Sequence, residues 1–275
     1  MQKMLFPNGL KKAFTTSYDD GCYDDIKLME LMEEYGIKGT FNLSSQIYRE
    51  EGTKPYGVWP RVTLAEALEE YPKHGVEIAV HGLHHRDFTQ LTEPELFCEI
   101  ATDKANLEMQ YGGVVRGAAY PYGSFNNRAV EALRKCGIKY CRTVCTRDDF
   151  GMPEDWLRLF ATCHHGDQRM PELLDRFVST EFDDCRMFYL WGHTAEFRRD
   201  DNWDVIENAF KKVSGNPDIW FATNIEICEY HKAYQALEYS TDPRSHAIYN
   251  PTAKDVWVEV DGKAVVIPSG ATVNA

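Results

Sequence analysis

The feature of this sequence that most limits its possible folds is a repeated alternation of two patterns. Short apolar runs rich in aromatic and β-branched residues are each followed by a longer segment with apolar residues at helical spacing. Such runs are typical of strands buried on both faces of a parallel sheet. Strands are predicted at 12–18, 39–43, 77–81, 114–120, 139–144, 187–192 and 219–223. Helices are predicted at 24–35, 63–72, 93–111, 126–136, 169–180, 203–214 and 224–237.

The ends of several helical segments carry the expected signals. Thr92 is a typical N-cap, and Pro94 follows it in the first turn. Gly36 and Gly137 each stand where a helical pattern stops. Seven strand–helix units predict an α/β fold, either a distorted (β/α)7-type parallel barrel or an open doubly wound sheet. The barrel is favoured because polar residues suited to chemistry follow strand after strand, at the end where barrel sites lie.

The alternation stops after about residue 240. The segments 256–260 and 264–267 read as two strands, and Asp261-Gly262 between them is a typical hairpin turn. A single hairpin is too small to have its own core. We therefore expect one barrel over residues 1–240 and a β-hairpin extension over 241–275 that packs on it.

Composition and charge exclude several classes of partner. The formal charge is −13, and no Lys/Arg-rich block offsets it, which argues against nucleic acid. No apolar stretch approaches the ~20 residues needed to cross a bilayer, and the residues before Pro7 do not resemble a signal peptide. The eight cysteines are scattered without a C-x-x-C pair, as in reduced cytosolic proteins. These features predict a cytoplasmic protein with no nucleic-acid or membrane partner.

Carboxylates and imidazoles follow two of the predicted strands. Asp19 and Asp20 follow the first strand, and His81 and His85 follow the third. If those strands are neighbours, two imidazoles and a carboxylate meet, which is the ligand set of an open hydrolytic metal site, and one acid remains as a base. His84 lies in the same turn and could replace either histidine. Solvated acids and surface histidines are the alternative reading of both segments.

Four segments, taken together, resemble the motifs of the polysaccharide deacetylases, the NodB-homology domain of carbohydrate esterase family four. The segment 18–21 (YDDG) resembles the first motif, and 81–85 (HGLHH) the second. The segment 120–123 (YPYG) resembles the third, and 190–193 (LWGH) the last. They occur in the family order over roughly residues 10–235. The resemblance implies a polysaccharide-deacetylase-like catalytic barrel.

The resemblance also implies the roles of five side chains. Asp20, His81 and His85 would hold one divalent metal ion, with Zn²⁺ expected from the ligand types and Co²⁺ or another divalent ion as alternatives. Asp19 would be the general base that takes a proton from the attacking water. His193 would be the general acid that protonates the leaving amine. The acid and base are each worth about 10²–10⁴-fold in rate.

Further positions follow from the third and last motifs. The backbone N–H of Tyr122 would stabilise the oxyanion, and Pro121 and Trp191 would line the substrate site. The family usually places an arginine, which orients the base, where this chain has Ala119. Arg116 is the nearest arginine in that segment and is the predicted substitute, unless another residue takes the role.

The partner of His193 is also less clear than in the family. Asp148 and Asp149 are the predicted candidates for pairing with it. His164 and His165 lie between the fifth and sixth predicted strands, either in a surface loop or lining the site.

These observations predict a metal-dependent hydrolase of carbon–nitrogen bonds other than peptide bonds. It would remove acetyl groups, with N-acetyl expected before O-acetyl, from a small glycan or sugar conjugate. One alternative is a cyclic amide or imide hydrolase of the same fold, some of which work without metal. Another is a non-catalytic carbohydrate-binding barrel. The complete ligand set argues against a metal-free enzyme, and the presence of both Asp19 and His193 argues against a binding protein.

Overall fold

The computed structural model of this chain describes residues 2–242 and 244–274, and its centre is a curved parallel sheet. In chain order the strands are β1 (Lys3–Leu5), β2 (Lys12–Asp19), β3 (Gly39–Leu43), β4 (Glu77–Val80), β5 (Gly117–Ala119), β6 (Tyr140–Thr146), β7 (Leu159–Ala161), β8 (Cys163–His164), β9 (Arg186–Gly192), β10 (Ile219–Phe221), β11 (Glu238–Tyr239), β12 (Ala247–Tyr249), β13 (Val256–Val260), β14 (Lys263–Ile267) and β15 (Thr272–Asn274).

Helices cover the outside of this sheet. They are α1 (Asp25–Tyr35), α2 (Leu64–Lys73), α3 (Glu93–Phe97), α4 (Asp103–Tyr111), α5 (Asn127–Lys135), α6 (Met170–Ser179), α7 (Thr194–Asp200), α8 (Trp203–Val213) and α9 (Asn224–Gln235). A π-helical turn, Cys98–Thr102, joins α3 to α4. Within the described residues, no helix is long and apolar enough to span a membrane.

The sheet closes into a barrel through two short strands. The hydrogen-bonded order is β7-β6-β5-β4-β3-β2-β9-β8. Only Thr162 separates β7 from β8, and its N–H donates to the Tyr189 carbonyl on β9 at 2.8 Å. Together, β7 and β8 therefore fill one strand position between β6 and β9. The wall thus has seven parallel positions, with β10 paired to the start of β2, and the predicted (β/α)7-type barrel is confirmed.

Side chains alternate between the two faces of the barrel wall. On β9, Phe188 and Leu190 pack in the large apolar cluster under the helices, whereas Tyr189 and Trp191 belong to a separate cluster. On β2, Tyr18 lies in the cluster under the helices, and Ser17 contacts the Tyr189 hydroxyl at 2.8 Å. Because successive residues of a strand point to opposite faces, Asp19 extends on the same side as Ser17, into the barrel mouth.

All seven predicted strands of the barrel region are present, most with shifted ends, but several short elements were missed. The strand predicted at 114–120 is only Gly117–Ala119, and the helix predicted at 93–111 contains the π-helical turn. The broken strand β7/β8 and the seven-residue helix α7 were not predicted. They are too short to give a periodic pattern that the sequence alone could reveal.

The C-terminal strands form two small antiparallel sheets. β13 and β14 form a hairpin whose turn lies at Asp261 and Gly262, and β1 pairs with β13 from the N-terminal side. β12 pairs with both β11 and β15. Val256, Val258 and Ile267 pack with Ala233 of α9, so the hairpin lies against that helix.

Candidate active site

The two adjacent acids reach the same pocket because the backbone turns between them. Asp19 is the last residue of β2, and Asp20 follows with a φ of +84°, in the left-handed region. This conformation is uncommon for a residue other than glycine, and such strain is found most often at functional sites. Both side chains are buried, so the strand end places two carboxylates side by side in the barrel mouth.

The two histidines of the second motif face Asp20. Asp20 Oδ1 lies 3.8 Å from His81 Nε2 and 3.5 Å from His85 Nε2. One ligand atom from each of the three residues lies within 4.8 Å of the others. We call Asp20, His81 and His85 the metal cluster.

Three observations show that the metal cluster suits a divalent cation. His81 Nδ1 lies 3.0 Å from the carbonyl of Ala119. A carbonyl only accepts, so Nδ1 carries the proton and Nε2 keeps a free lone pair. Asp20 Oδ1 is buried and has no hydrogen-bond partner among the described residues. Burial lowers the pKa of His81 to about 4, so the ring is neutral, as a ligand must be.

Two side chains of the segment between β3 and α2 contact Asp20, Trp59 by a hydrogen bond and Arg61 by an ion pair without hydrogen-bond geometry. Trp59 Nε1 donates to Asp20 Oδ2 at 3.0 Å, and Arg61 Nη1 lies 3.3 Å from Asp20 Oδ1. Burial acts to raise the pKa of Asp20, but His81 and Arg61 outweigh it and hold the pKa well below its usual range. Asp20 is therefore ionised, as a metal ligand must be.

Asp19 is held by a buried arginine that sequence reasoning missed. Its Oδ1 accepts from Asn42 Nδ2 at 2.8 Å, and its Oδ2 pairs with Arg142 Nη2. Arg142 lies on β6 as the register partner of Ala119 on β5, and its guanidinium lies 4.2 Å from the Trp191 ring centroid. The guanidinium absent at Ala119 thus comes from the neighbouring strand. An arginine inside an otherwise apolar strand was the available signal.

The arginine predicted for this role lies elsewhere. Arg116 immediately precedes β5 and pairs with Glu229 of α9. It therefore lies away from the strand ends that carry the metal cluster. A residue at that end of a barrel strand cannot orient Asp19 at the opposite end.

His193 lies between Asp19 and a glutamate. Its Nε2 is 3.9 Å from Asp19 Oδ2, and its Nδ1 is 3.6 Å from Glu196 Oε1. Glu196 Oε2 lies 3.0 Å from His164 Nε2 and 3.1 Å from His165 Nε2. We call His164, His165, His193 and Glu196 the Glu196 network.

The predicted aspartates do not take part in this network. Asp148 pairs with Arg169, and Asp149 pairs with Arg147. The carboxylate beside His193 is instead Glu196, three residues later in α7. Sequence reasoning missed it because α7 itself was not predicted: His193 is the N-cap of that helix, and Glu196 lies in its first turn.

The negative charge of Glu196 and the positive charge of His193 stabilise each other against the effect of burial. Burial acts to lower the pKa of His193, but Glu196 and Asp19 outweigh it and raise the pKa. Burial likewise acts to raise the pKa of Glu196, yet the surrounding imidazoles hold it far below its usual range. The network therefore favours an anionic Glu196 and a protonated His193.

His164, His193 and Glu196 also lie close enough together to hold an ion, but the proton on His164 argues against it. One possible ligand atom from each lies within 4.8 Å of the others. However, the Gly166 N–H donates to His164 Nδ1 at 3.0 Å. In a neutral ring the proton then lies on Nε2, which faces Glu196 as a donor rather than as a metal ligand. In the metal cluster, by contrast, the Ala119 carbonyl leaves His81 Nε2 unprotonated and free to bind a cation.

The third motif forms the rim of the site. Tyr122 has a φ of +59°, is 66% exposed and lies 4.7 Å from His85 between ring centroids. Pro121 is buried beside it. Trp191 is also buried, between Arg142 and His193, so its ring contacts these side chains more than open space. Of these three side chains, Tyr122 is the one that is exposed to a ligand.

Comparison with known proteins gives consistent matches. A family model described as "Polysaccharide deacetylase" matches residues 7–141. The Bacillus subtilis (strain 168) protein YxkH, named as a polysaccharide deacetylase, is 24% identical over 130 residues, which cover 47% of this chain and 43% of YxkH. The chain therefore matches less than half the length of that relative.

Solved structures share the barrel at low sequence identity. A Mycobacterium smegmatis structure described as a polysaccharide deacetylase aligns with a TM-score of 0.59 at 14% identity, over 85% of this chain and 94% of that one. The Xyl-CE4 domain of a multidomain xylanase from the hindgut metagenome of Trinervitermes trinervoides aligns with a TM-score of 0.53 at 18% identity, over 84% and 96%. At these identities the structural matches show the fold, and the family model adds the first motifs. Residues 7–141 thus match the polysaccharide deacetylase (NodB-homology) superfamily, and solved structures described as its members share the barrel over more than four-fifths of the chain.

Proposed function

We propose that this protein is a metal-dependent deacetylase that hydrolyses N-acetyl groups of a small glycan or sugar conjugate. The observation that carries the proposal is the convergence of three functions on one point. The metal cluster, the carboxylate of Asp19 and the imidazole of His193 all meet at the same end of the barrel. The family match supports a carbohydrate substrate.

Asp20, His81 and His85 would hold the metal ion. Two nitrogen ligands and one oxygen ligand suit Zn²⁺, and Co²⁺ accepts the same set. When bound, such a cation polarises the acetyl carbonyl and lowers the pKa of water.

Asp19 is suited to be the general base. Burial acts to raise the pKa of Asp19, but Arg142 and His81 outweigh it, so the pKa is lowered and the carboxylate stays ionised at neutral pH. Asn42 and Arg142 each engage one of its oxygens. Because a carboxylate oxygen has two lone pairs, each oxygen can still accept a proton while its orientation is fixed.

His193 is suited to be the general acid. Its raised pKa favours the protonated ring, and its Nε2 points towards Asp19. Glu196 lies behind the ring at Nδ1 and stabilises the imidazolium charge. The proton on Nε2 can then pass to the leaving amine, which would otherwise depart as an unstable anion.

The rim would hold the substrate. The backbone N–H of Tyr122 is the proposed oxyanion donor, worth about 10²–10³-fold in rate for such a group. The exposed Tyr122 ring offers an apolar face to a sugar. Pro121 and Trp191 support the rim and the Arg142 guanidinium from below.

The test is acetate release from defined substrates. The chain, reconstituted with Zn²⁺, would be incubated with N-acetylated and O-acetylated oligosaccharides and with cyclic imides, beside an Asp19→Asn variant. We expect acetate from the N-acetylated sugars and a loss of about 10²–10⁴-fold in the variant. Equal rates in both proteins, or no acetate from any sugar, would contradict the proposal. Imide ring opening without acetate release would indicate the alternative hydrolase.

A cytoplasmic location stays part of the proposal. It is supported by the cysteines, all eight of which are free thiols in the described structure.

A further inference from the structure

The loop between the two histidine ligands is held by the helix beside it. Its turn is tight, with Gly82 at a φ of +81° and His85 at +53°. A Cβ at Gly82 would lie 3.0 Å from the Phe88 ring, a tight contact, and the positive φ adds backbone strain to any substitution there. The loop itself buries little apolar surface beyond Leu83 and Phe88. Its geometry therefore depends on where its backbone N–H groups find acceptors.

Glu99 binds the middle of this loop. Its carbonyl accepts the N–H of Leu83 at 3.0 Å. Its carboxylate accepts the N–H of His84 at 2.9 Å and contacts His84 Nδ1 at 2.8 Å. Glu99 is itself only 3% exposed, although glutamate is rarely buried without such partners. Glu99 thus fixes two consecutive residues between the ligands, Leu83 through its backbone carbonyl and His84 through its carboxylate.

Asp103 binds the start of the loop. It is fully buried, and its Oδ2 accepts the N–H of His81 at 3.2 Å. Its Oδ1 accepts the N–H of Ser45 at 2.7 Å, in the segment after β3. Asp103 therefore ties the first histidine ligand to the end of the neighbouring strand.

The π-helical turn makes the carbonyl of Glu99 available. In a regular α-helix that carbonyl would accept the N–H of Asp103, four residues later. Here the Asp103 N–H donates to the carbonyl of Ile100, and the Glu99 carbonyl accepts from Leu83 instead. π-helical turns inside α-helices are often found at functional sites.

We propose that Glu99 and Asp103 are positioning residues for the metal ion, and that the π-helical turn exists to present them. They preform the His81–His85 loop in the geometry that the ion needs, so their loss should weaken metal binding. Residues that orient metal ligands in this way typically contribute about 10–100-fold to affinity. This inference rests on the proposed function, because it requires the metal cluster to bind an ion.

The test is Zn²⁺ affinity of the full chain, measured by competition with a chromophoric chelator. The variants are Glu99→Gln and Asp103→Asn, which keep size and remove one negative charge each. In Asp103→Asn one of two oxygens that accept backbone N–H groups becomes a donor, and in Glu99→Gln a neutral amide replaces the carboxylate that accepts from the His84 N–H. Glu93→Gln is the matched control, because the same change occurs in α3 on a side chain that is 64% exposed. We expect about 10–100-fold weaker binding in the two variants and no change in the control. The melting temperature of each metal-free protein reports separately on folding.

The outcomes separate this inference from the proposed function. Wild-type affinity in both variants would overturn the positioning role while leaving the function intact. A wild type that binds Zn²⁺ but releases no acetate would overturn the function and leave the positioning role standing. Absence of Zn²⁺ binding by the wild type would overturn both. If a variant does not fold, His84→Ala removes one Glu99 contact from a side chain that is 58% exposed, and we expect a smaller loss of affinity. Unchanged affinity there would count against the inference.

Discussion

The metal cluster and the Glu196 network lie at the same end of the barrel, and each combines histidines with one carboxylate, yet their ring nitrogens are protonated differently. In the metal cluster, His81 Nδ1 faces the carbonyl of Ala119, which leaves Nε2 unprotonated. In the Glu196 network, His164 Nδ1 faces the N–H of Gly166, which leaves the proton on Nε2. The backbone group that Nδ1 faces, a carbonyl or an N–H, therefore determines whether the histidine is suited to bind a cation or to donate to a carboxylate.

The comparison teaches that spacing alone does not identify a metal ligand. Both clusters bring three possible ligand atoms within 4.8 Å. What distinguishes them is the group on the far side of each ring, which the sequence does not specify. The four experiments that follow test this distinction and the charges on which it depends.

The largest effect on rate is expected from Arg142, which holds Asp19 between His81 of the metal cluster and His193 of the Glu196 network. Arg142→Ala would leave Asp19 without its guanidinium, so the pKa of Asp19 would rise and its orientation would loosen. We expect the deacetylation rate to fall about 10²–10⁴-fold, with the acidic limb of its pH profile moved to higher pH. Because Ala119 is the register partner of Arg142, adding Ala119→Arg should restore part of the rate. No restoration would mean that Arg142 acts in another way.

A smaller effect is expected from Glu196→Gln. Removal of the negative charge lowers the raised pKa of His193, so the acid loses its proton at a lower pH. The alkaline limb of the pH profile of kcat/KM should move to lower pH, and the rate should fall about 10²-fold. Metal content should not change. Loss of the metal ion in this variant would instead indicate that the Glu196 network binds it.

The smallest effect is expected on the free energy of unfolding, through the buried Asp25 next to the Glu196 network. Asp25 accepts hydrogen bonds from Thr194, next to His193, and from Tyr71, and burial raises its pKa to about 7. A raised carboxyl pKa stabilises the folded state when the group is protonated, and this contribution is lost as the pH rises through about 7. Between pH 8 and pH 5, wild type should gain unfolding free energy relative to Asp25→Asn as the pH falls. A difference that is independent of pH would contradict this assignment.

Much of the fold was predictable because it depends on local patterns. The alternation of apolar runs and helical periodicity predicted seven of the nine strands of the main sheet. The strands that precede Asp20 and His81 are not neighbours, as the sequence analysis had required, because β3 lies between β2 and β4, and the two side chains meet across the barrel mouth instead. The elements that were missed are short. β7, β8 and α7 have two to seven residues each, and packing rather than propensity determines their structure.

The supporting side chains could not be predicted for a different reason. Arg142 takes the role that the resemblance assigns to an arginine at position 119, where this chain has alanine. This substitution is visible only once the register of β5 and β6 is known. Glu196 depends on an unpredicted helix. Glu99 and Asp103 depend on a π-helical turn inside a helix that sequence reasoning treated as regular. These contacts either join segments that are far apart in sequence or depend on a local departure from regular helix geometry. No local sequence pattern indicates either feature.

The most direct test of the central claim is the Zn²⁺ content per chain, measured by elemental analysis after reconstitution and removal of free metal. Wild type would be compared with His81→Ala and His164→Ala, which remove one histidine from each cluster. We predict about one ion in wild type, none in His81→Ala and about one in His164→Ala. An ion that persists in His81→Ala and disappears in His164→Ala would contradict the account, because the Glu196 network would then be the metal site.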